Sequence, residues 1–198
     1  MDDILIKNTK IIDGTGTPVF IGNIAIKDSK IMSTDSSSGS ADIIIDGTGL
    51  ITCPGFIDPH SHSDLTFSIL PLCHNYVMQG ITTVVGGNCG LAQAPTVKRE
   101  ATSEEKKIGI ESFQGANKDL SFSRWLTKVE RRGISVNYIP LVGHNTIRSA
   151  VMGEDFKRHS KMHELEAMKE LVEKGMRAGA FGFSTGLDYD PSEYSNTE

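Results

Sequence analysis

The sequence predicts an α/β chain in which a small all-β unit precedes a parallel sheet. Three observations carry this expectation. The first fifty residues hold short apolar runs separated by Asp-Gly-Thr-Gly turns at 13–16 and 46–49. From residue 55 onward, β-branched runs alternate with helical patterns, the signature of βαβ units. Between Lys161 and Ala178, apolar residues recur at steps of three and four, which sets one unambiguous helical period.

Taken in order, Ile4-Leu5-Ile6 and Ile11-Ile12 read as strand, and Asn23 to Ile31 alternates Ile24, Ile26 and Lys27 before a turn at Asp28-Ser29. A Ser/Gly loop at 34–40 leads to the strand Ile43-Ile44-Ile45. A β-unit of this size, residues 1–54, needs partner strands to bury its apolar face. Gly55 to Asp58 starts a second region. There, Leu70 to Gln79 reads as a helix ended by Gly80, and Ile81 to Val85 as a strand buried on both faces. Residues 92–120 form a polar, irregular insertion, followed by a helix carrying Trp125, Leu126 and Val129 and closed by Gly133. Val136 to Val142 is a strand with Pro140 awkwardly inside it. The Lys161–Ala178 helix presents Met162, Leu165, Met168, Leu171, Val172 and Met176 as one stripe, and Ala180 to Phe183 makes a fourth strand. This alternation over 55–198 means a parallel sheet, either open or closed as a (β/α)8 barrel. Four strands cannot close an eight-stranded barrel, and an open sheet leaves an unpaired edge. The expectation is therefore that the chain is a fragment, or lacks a C-terminal half.

Bulk properties exclude several function classes. The composition, 38% apolar and 23% charged, is that of a soluble globular protein, and a net charge of −5 argues against nucleic acid. Lys98, Arg99, Lys106 and Lys107 are interleaved with Glu100, Glu104 and Glu105, as on a solvated face. Leu65 to Val97 lacks Lys, Arg, Asp and Glu, but Pro71, His74, Asn75, Gln79 and Gly86-Gly87-Asn88 break it, so it is not a membrane span. Cys53, Cys73 and Cys89 form no CxxC pair, their odd number suggests no disulfide framework, and the N-terminus is unlike a secretory signal. A reducing cytoplasm is expected.

The chemistry gathers where strands end. His60-Ser61-His62 follows the strand at 55–58, and in extended backbone residues two apart point the same way. Two imidazoles at one point suit a metal ion, although a bare His-x-His is as readily a surface pair. Asp58 lies on the same side, either accepting a hydrogen bond from an imidazole N–H and fixing its tautomer, or turned to solvent. Cys89, in Gly86-Gly87-Asn88-Cys89-Gly90, lies just past the next strand, ~5 Å away in a parallel sheet. There a thiolate reaches the same point, or the cysteine is a small buried apolar residue; Cys53 and Cys73 are read as the latter. His144 follows the third strand and Ser184, Thr185 and Tyr189 the fourth, where they either meet a substrate or make loop hydrogen bonds. His74, His159 and His163 read as ordinary surface residues.

These residues carry a family resemblance. Pro54-Gly55-Phe56-Ile57-Asp58-Pro59-His60-Ser61-His62-Ser63-Asp64 resembles the first barrel strand of the amidohydrolase superfamily. Relatives of the dihydroorotase and hydantoinase type bridge two metals with a carboxylated lysine after strand four, and Phe181 to Leu187 has no lysine. Asn88-Cys89-Gly90 instead resembles the N-acyl-D-amino-acid deacylase (D-aminoacylase) branch, where a cysteine after strand two takes the metal-binding role. Leu141 to Arg148, Val151-Met152-Gly153 and Gly182 to Tyr189 resemble the same branch.

The resemblance implies an α/β fold, the first half of a (β/α)8 metal-dependent hydrolase barrel at 55–198 preceded by part of a small β-sandwich at 1–54. It implies zinc as cofactor, His60, His62 and Cys89 as metal ligands, and an N-acyl amino acid, plausibly of D configuration, as the small-molecule partner. His144, Ser184 and Tyr189 are the candidate substrate contacts and Asp58 the candidate support for an imidazole. By the same resemblance, further metal histidines follow strands five and six and the catalytic aspartate follows strand eight. All lie beyond Glu198, so this chain alone is expected to be inactive. A cyclic amidohydrolase of the hydantoinase type and a truncated, non-catalytic metal-binding fragment are the alternatives.

Overall fold

A computed structural model describes residues 2–35, 39–96 and 120–196. The basic cluster at 98–107, most of the expected insertion, part of the Ser/Gly loop and the last two residues lie outside the described residues. The chain divides into two compact units, Met1–Gly55 and Phe56–Glu198.

The first unit is a five-stranded sheet in the order β3-β2-β1-β4, with β5 also on β1. Its strands are β1 (Asp2–Ile11), β2 (Phe20–Lys27), β3 (Lys30–Ser33), β4 (Ala41–Asp46) and β5 (Ile51–Thr52). The β2–β3 hairpin turns on Asp28 and Ser29, with φ of 50° and 61°. Two positive φ values in a two-residue loop give the turn whose twist matches the flanking strands. Leu5, Ile11, Ile24 and Ala25 are buried, and the buried Thr9 hydroxyl is 2.8 Å from that of Thr52. Ile21, Ile31, Ile43, Ile44 and Ile45 stay exposed. Cys53, expected in the interior, is exposed as well, because it follows the last strand rather than lying within one.

The second unit is built on four parallel strands in the order β6-β7-β8-β9. They are β6 (Phe56–Asp58), β7 (Ile81–Gly86), β8 (Asn137–Gly143) and β9 (Gly182–Ser184). The helices are α1 (His74–Val77), α2 (Phe122–Arg132), α3 (His144–Met152) and α4 (Met162–Arg177). Val84 and Val142, wholly buried in the central strands, pack with Phe67, Phe122, Trp125, Ile147 and Met168. Pro140 is accommodated inside β8, where its carbonyl accepts from Phe181 N–H at 2.9 Å.

Two helices differ from expectation. The helix expected over Leu70–Gln79 is a single turn, because Pro71 disfavours helix before it and Cys73 is left-handed, with φ of 45°. Conversely, α3 follows β8 without a loop, in a stretch whose polar start hides its period. Among the described residues no helix is long and apolar enough to cross a membrane.

Buried polar contacts tie these helices to the chain after β9. Arg148 of α3 is 1% exposed, and its guanidinium donates to the backbone carbonyls of Pro191 (2.9 Å), Phe156 (3.0 Å), Tyr194 (3.4 Å) and Arg158. Arg158 in turn forks onto Glu164 (2.6 and 2.8 Å) and Asp155 (2.7 and 2.9 Å). Glu164 also accepts from Lys161 N–H at 2.7 Å, capping α4. The Arg158 guanidinium and this backbone bond hold the Glu164 carboxyl at about 2, below its ordinary 4.5.

Two outcomes are expected. In Gly175→Ala the new Cβ would stand 2.5 Å from Val142 Cγ2, which has no room to move. Overpacking of about 1–3 kcal/mol offsets or exceeds the helix-propensity gain of about 1 kcal/mol, so urea denaturation should show a lower midpoint. Glu164→Gln should also lower that midpoint. Because the native carboxyl titrates below its unfolded value, its contribution is complete above about pH 4.5 and fades as pH falls toward 2. The difference from wild type should close across that window.

Candidate metal centre

The site is assembled at the carboxyl ends of β6 and β7. Their ladder pairs Asp58 with Val84 and continues past β6, where Ser61 N–H donates to Val85 carbonyl at 3.1 Å. The Asn88 side-chain amide donates to Val85 carbonyl at 2.8 Å and to Ser61 carbonyl at 3.4 Å. Ser61 and Ser63 are buried, with their hydroxyls 2.7 Å apart. Alternation then leaves His60 exposed and His62 half-buried, ring centroids 5.8 Å apart. Asp58 does not hold an imidazole: its carboxylate accepts from His60 backbone N–H at 3.1 Å, because it turns back over its own chain in a local side-chain-to-backbone turn.

Cys89 is the middle residue of the 3-10 turn Asn88–Gly90 that follows β7. Gly87 enters this turn at φ of 84°, and a Cβ there would strike the Leu141 carbonyl. Only glycine combines that dihedral with that approach. Cys89 itself is left-handed at φ of 57°, and this backbone aims its Sγ to within 3.0 Å of His60 Nε2. One donor atom from each of His60, His62 and Cys89 lies within 4.8 Å of the others.

Two imidazole nitrogens and a sulfur are the donor types zinc takes, and tetrahedral bonds of ~2.0–2.3 Å set donors roughly 3.5 Å apart. The cluster fits that ion. His62 Nδ1 is buried without a hydrogen-bond partner among the described residues. Desolvation, with the nearby His60, lowers the His62 pKa from its ordinary 6.5, which favours the neutral imidazole that ligates.

The surrounding residues divide into two groups. Ser184 and Tyr189 bond to the cysteine turn: Gly90 N–H donates to Ser184 Oγ (2.9 Å), Ser184 Oγ donates to the Gly87 carbonyl, and Tyr189 Oη donates to the Cys89 carbonyl (2.5 Å). Thr185 is exposed. His144 opens α3, its ring 5.9 Å from that of Phe183 and its Nδ1 buried without a partner among the described residues. Desolvation, then Arg148, lowers its pKa. Sequence reasoning missed Asp64, which is 1% exposed. Burial pushes its carboxyl up to about 7; backbone N–H groups of Gly87 and Gln93 pull it partly back, although neither makes a well-formed hydrogen bond. Its place two residues after His62 in an otherwise uncharged stretch was the available signal.

No family model matches the chain. It is 38% identical over 198 residues to N-acyl-D-aspartate deacylase of Alcaligenes xylosoxydans xylosoxydans, covering 99% of this chain and 39% of that protein. It is 33% identical over 197 residues to D-aminoacylase of the same organism, covering 99% and 40%. The crystal structure of N-acyl-D-glutamate deacylase from Bordetella bronchiseptica, complexed with zinc and a phosphonate mimic of the tetrahedral intermediate, is similar with a TM-score of 0.87. Identity there is 31%, with 98% of this chain and 40% of that one covered. The chain thus spans about two fifths of the length of these relatives. With a half-barrel sheet, β6 to β9, preceded by a separate small sheet, the chain is similar over nearly all its length to part of the N-acyl-D-amino-acid deacylases (D-aminoacylases), a subset of amidohydrolases.

Proposed function

We propose that this chain supplies the first three protein ligands of a zinc centre in an enzyme that hydrolyses the amide bond of N-acyl-D-amino acids. The observation that carries this reading is the convergence of His60, His62 and Cys89 donors within 4.8 Å where two parallel strands end, the face on which barrel enzymes build their sites. The activities of the similar deacylases support the substrate class. The stretch after β9, Thr185-Gly186-Leu187, offers no lysine to bridge two metals, which favours the cysteine-containing site over the hydantoinase type. The three free cysteines fit a reducing cytoplasm.

Zinc, when bound, supplies Lewis acidity that lowers the pKa of water to about 7 and polarises the substrate carbonyl. The chain's own residues do the rest of what is assigned here. His60 and His62 bind as neutral imidazoles, and Cys89 gives up its proton on ligation. His60, His62 and Cys89 would hold the ion from the ends of β6 and β7, with nitrogen and sulfur donors of the kind zinc takes. Ser61, locked to β7, holds both histidines in place. His144 is the rim side chain left to meet the substrate, since Ser184 and Tyr189 are bonded to the cysteine turn.

Metal analysis tests the ligand set. The purified chain should carry about one zinc ion, and His60→Ala, His62→Ala or Cys89→Ala should each weaken zinc affinity by about 100-fold or more without changing the circular dichroism. A wild-type chain that stays zinc-free after dialysis against zinc would remove the reading. For activity, the protein at the full length of its relatives should release free amino acid from N-acetyl-D-aspartate or N-acetyl-D-glutamate and not from the L forms. Chelation should abolish this release and zinc restore it; equal rates on both enantiomers would refute the substrate assignment.

A further inference from the structure

We infer that Ser184 is a positioning residue for Cys89: from the end of β9 its hydroxyl staples the two ends of the turn that aims the thiol at His60. The inference rests on reading Cys89 as a metal ligand, and it reassigns Ser184 from substrate contact to support of that ligand.

The Ser184 hydroxyl uses both of its capacities on this turn. It accepts from Gly90 N–H at 2.9 Å and donates to the Gly87 carbonyl, so one oxygen spans the residues on either side of Asn88-Cys89. The register that pairs Gly143 with Ser184 sets it at the end of the β8–β9 ladder, close to a turn ninety-odd residues earlier in the chain. Cys89 needs such support, because a non-glycine residue at φ of 57° persists only where its surroundings over-determine it. Other contacts hold single points. Asn88 is tied to Val85 and Ser61, the Cys89 carbonyl to Tyr189, and the Gly90 carbonyl to Thr146 at 3.4 Å. Ser184 alone among these side chains bridges Gly87 to Gly90. Without the staple, the turn is free to relax toward right-handed backbone at Cys89, which swings Sγ away from the imidazoles while leaving them untouched.

Cobalt(II) provides a readout separate from activity. Its visible d–d bands report metal bound by the histidines, and a near-ultraviolet sulfur-to-cobalt charge-transfer band reports the thiolate. The experiment uses the whole chain, with Cys89→Ala as the reference for an absent thiolate. In Ser184→Ala the charge-transfer band should fall by at least half and cobalt should bind roughly 10-fold more weakly, with visible absorption still appearing at saturating metal. Ser184→Thr, which keeps the hydroxyl, should restore both, whereas its isostere Ser184→Val should not. If Ser184→Ala loses its circular dichroism signature, the Thr and Val pair decides. A full-strength charge-transfer band in Ser184→Ala or Ser184→Val, or its loss in Ser184→Thr, overturns the assignment to Ser184 while leaving the metal site standing. A wild-type chain that binds cobalt without that band overturns Cys89 as a ligand, and the role of Ser184 with it.

Discussion

Ser61 donates its backbone N–H to the Val85 carbonyl and accepts, at its own carbonyl, from the Asn88 side chain. β6 is only Phe56–Asp58, so without this continuation the ladder would end before the histidines. With it, the residue between His60 and His62 is fastened to β7, and the strand's alternation decides where both imidazoles go. Each such bond contributes only about 0.5–1.5 kcal/mol net. Their importance is geometric, because they convert strand pairing into a fixed separation between side chains thirty positions apart in sequence.

The opposite side of the site is held from α3. Thr146 bonds to the Ala92 backbone at both its N–H (2.8 Å) and its carbonyl (2.9 Å), and Asn145 accepts from the buried Ser192 hydroxyl at 2.7 Å. Arg148 fastens the segments around 156–158 and 191–194. The Gly-His-Asn-Thr-Ile-Arg stretch therefore works as a brace. It sets the chain leaving the cysteine turn against the chain leaving β9, and through Tyr189 the second of these returns to the Cys89 carbonyl. Cys89 meets this brace through its backbone carbonyl, and its place depends on it.

Much of this was legible in residue order. The parallel alternation, the α4 stripe and the turns at Asp28-Ser29 and Gly133 rest on local chemistry that a sequence displays directly. So does the spacing that places His60, His62 and Cys89 near one another. Other features were hidden because they arise only from packing. Pro71 was visible, but not that Cys73 would turn left-handed and cut the expected helix to one turn. Asp58 had a nearer partner in its own backbone than in an imidazole. Nothing local marks Arg148 or Asp64 as buried: the carbonyls that surround the arginine come from two later segments, and the burial of the acid arises only in the packed structure. Ser184 and Tyr189 were recognised as rim residues, but the direction of their hydrogen bonds depends on a turn nearly a hundred residues away.

Arg148 has a consequence for how this architecture tolerates sequence change. Among the described residues, every acceptor of its guanidinium is a main-chain carbonyl, at Phe156, Arg158, Pro191 and Tyr194. The side chains at those positions are not what it recognises. The arginine has no equivalent here, because lysine lacks the planar fork that reaches several carbonyls at once. One buried cation thus fixes the path of two chain segments, around 156–158 and 191–194, through their main chain alone.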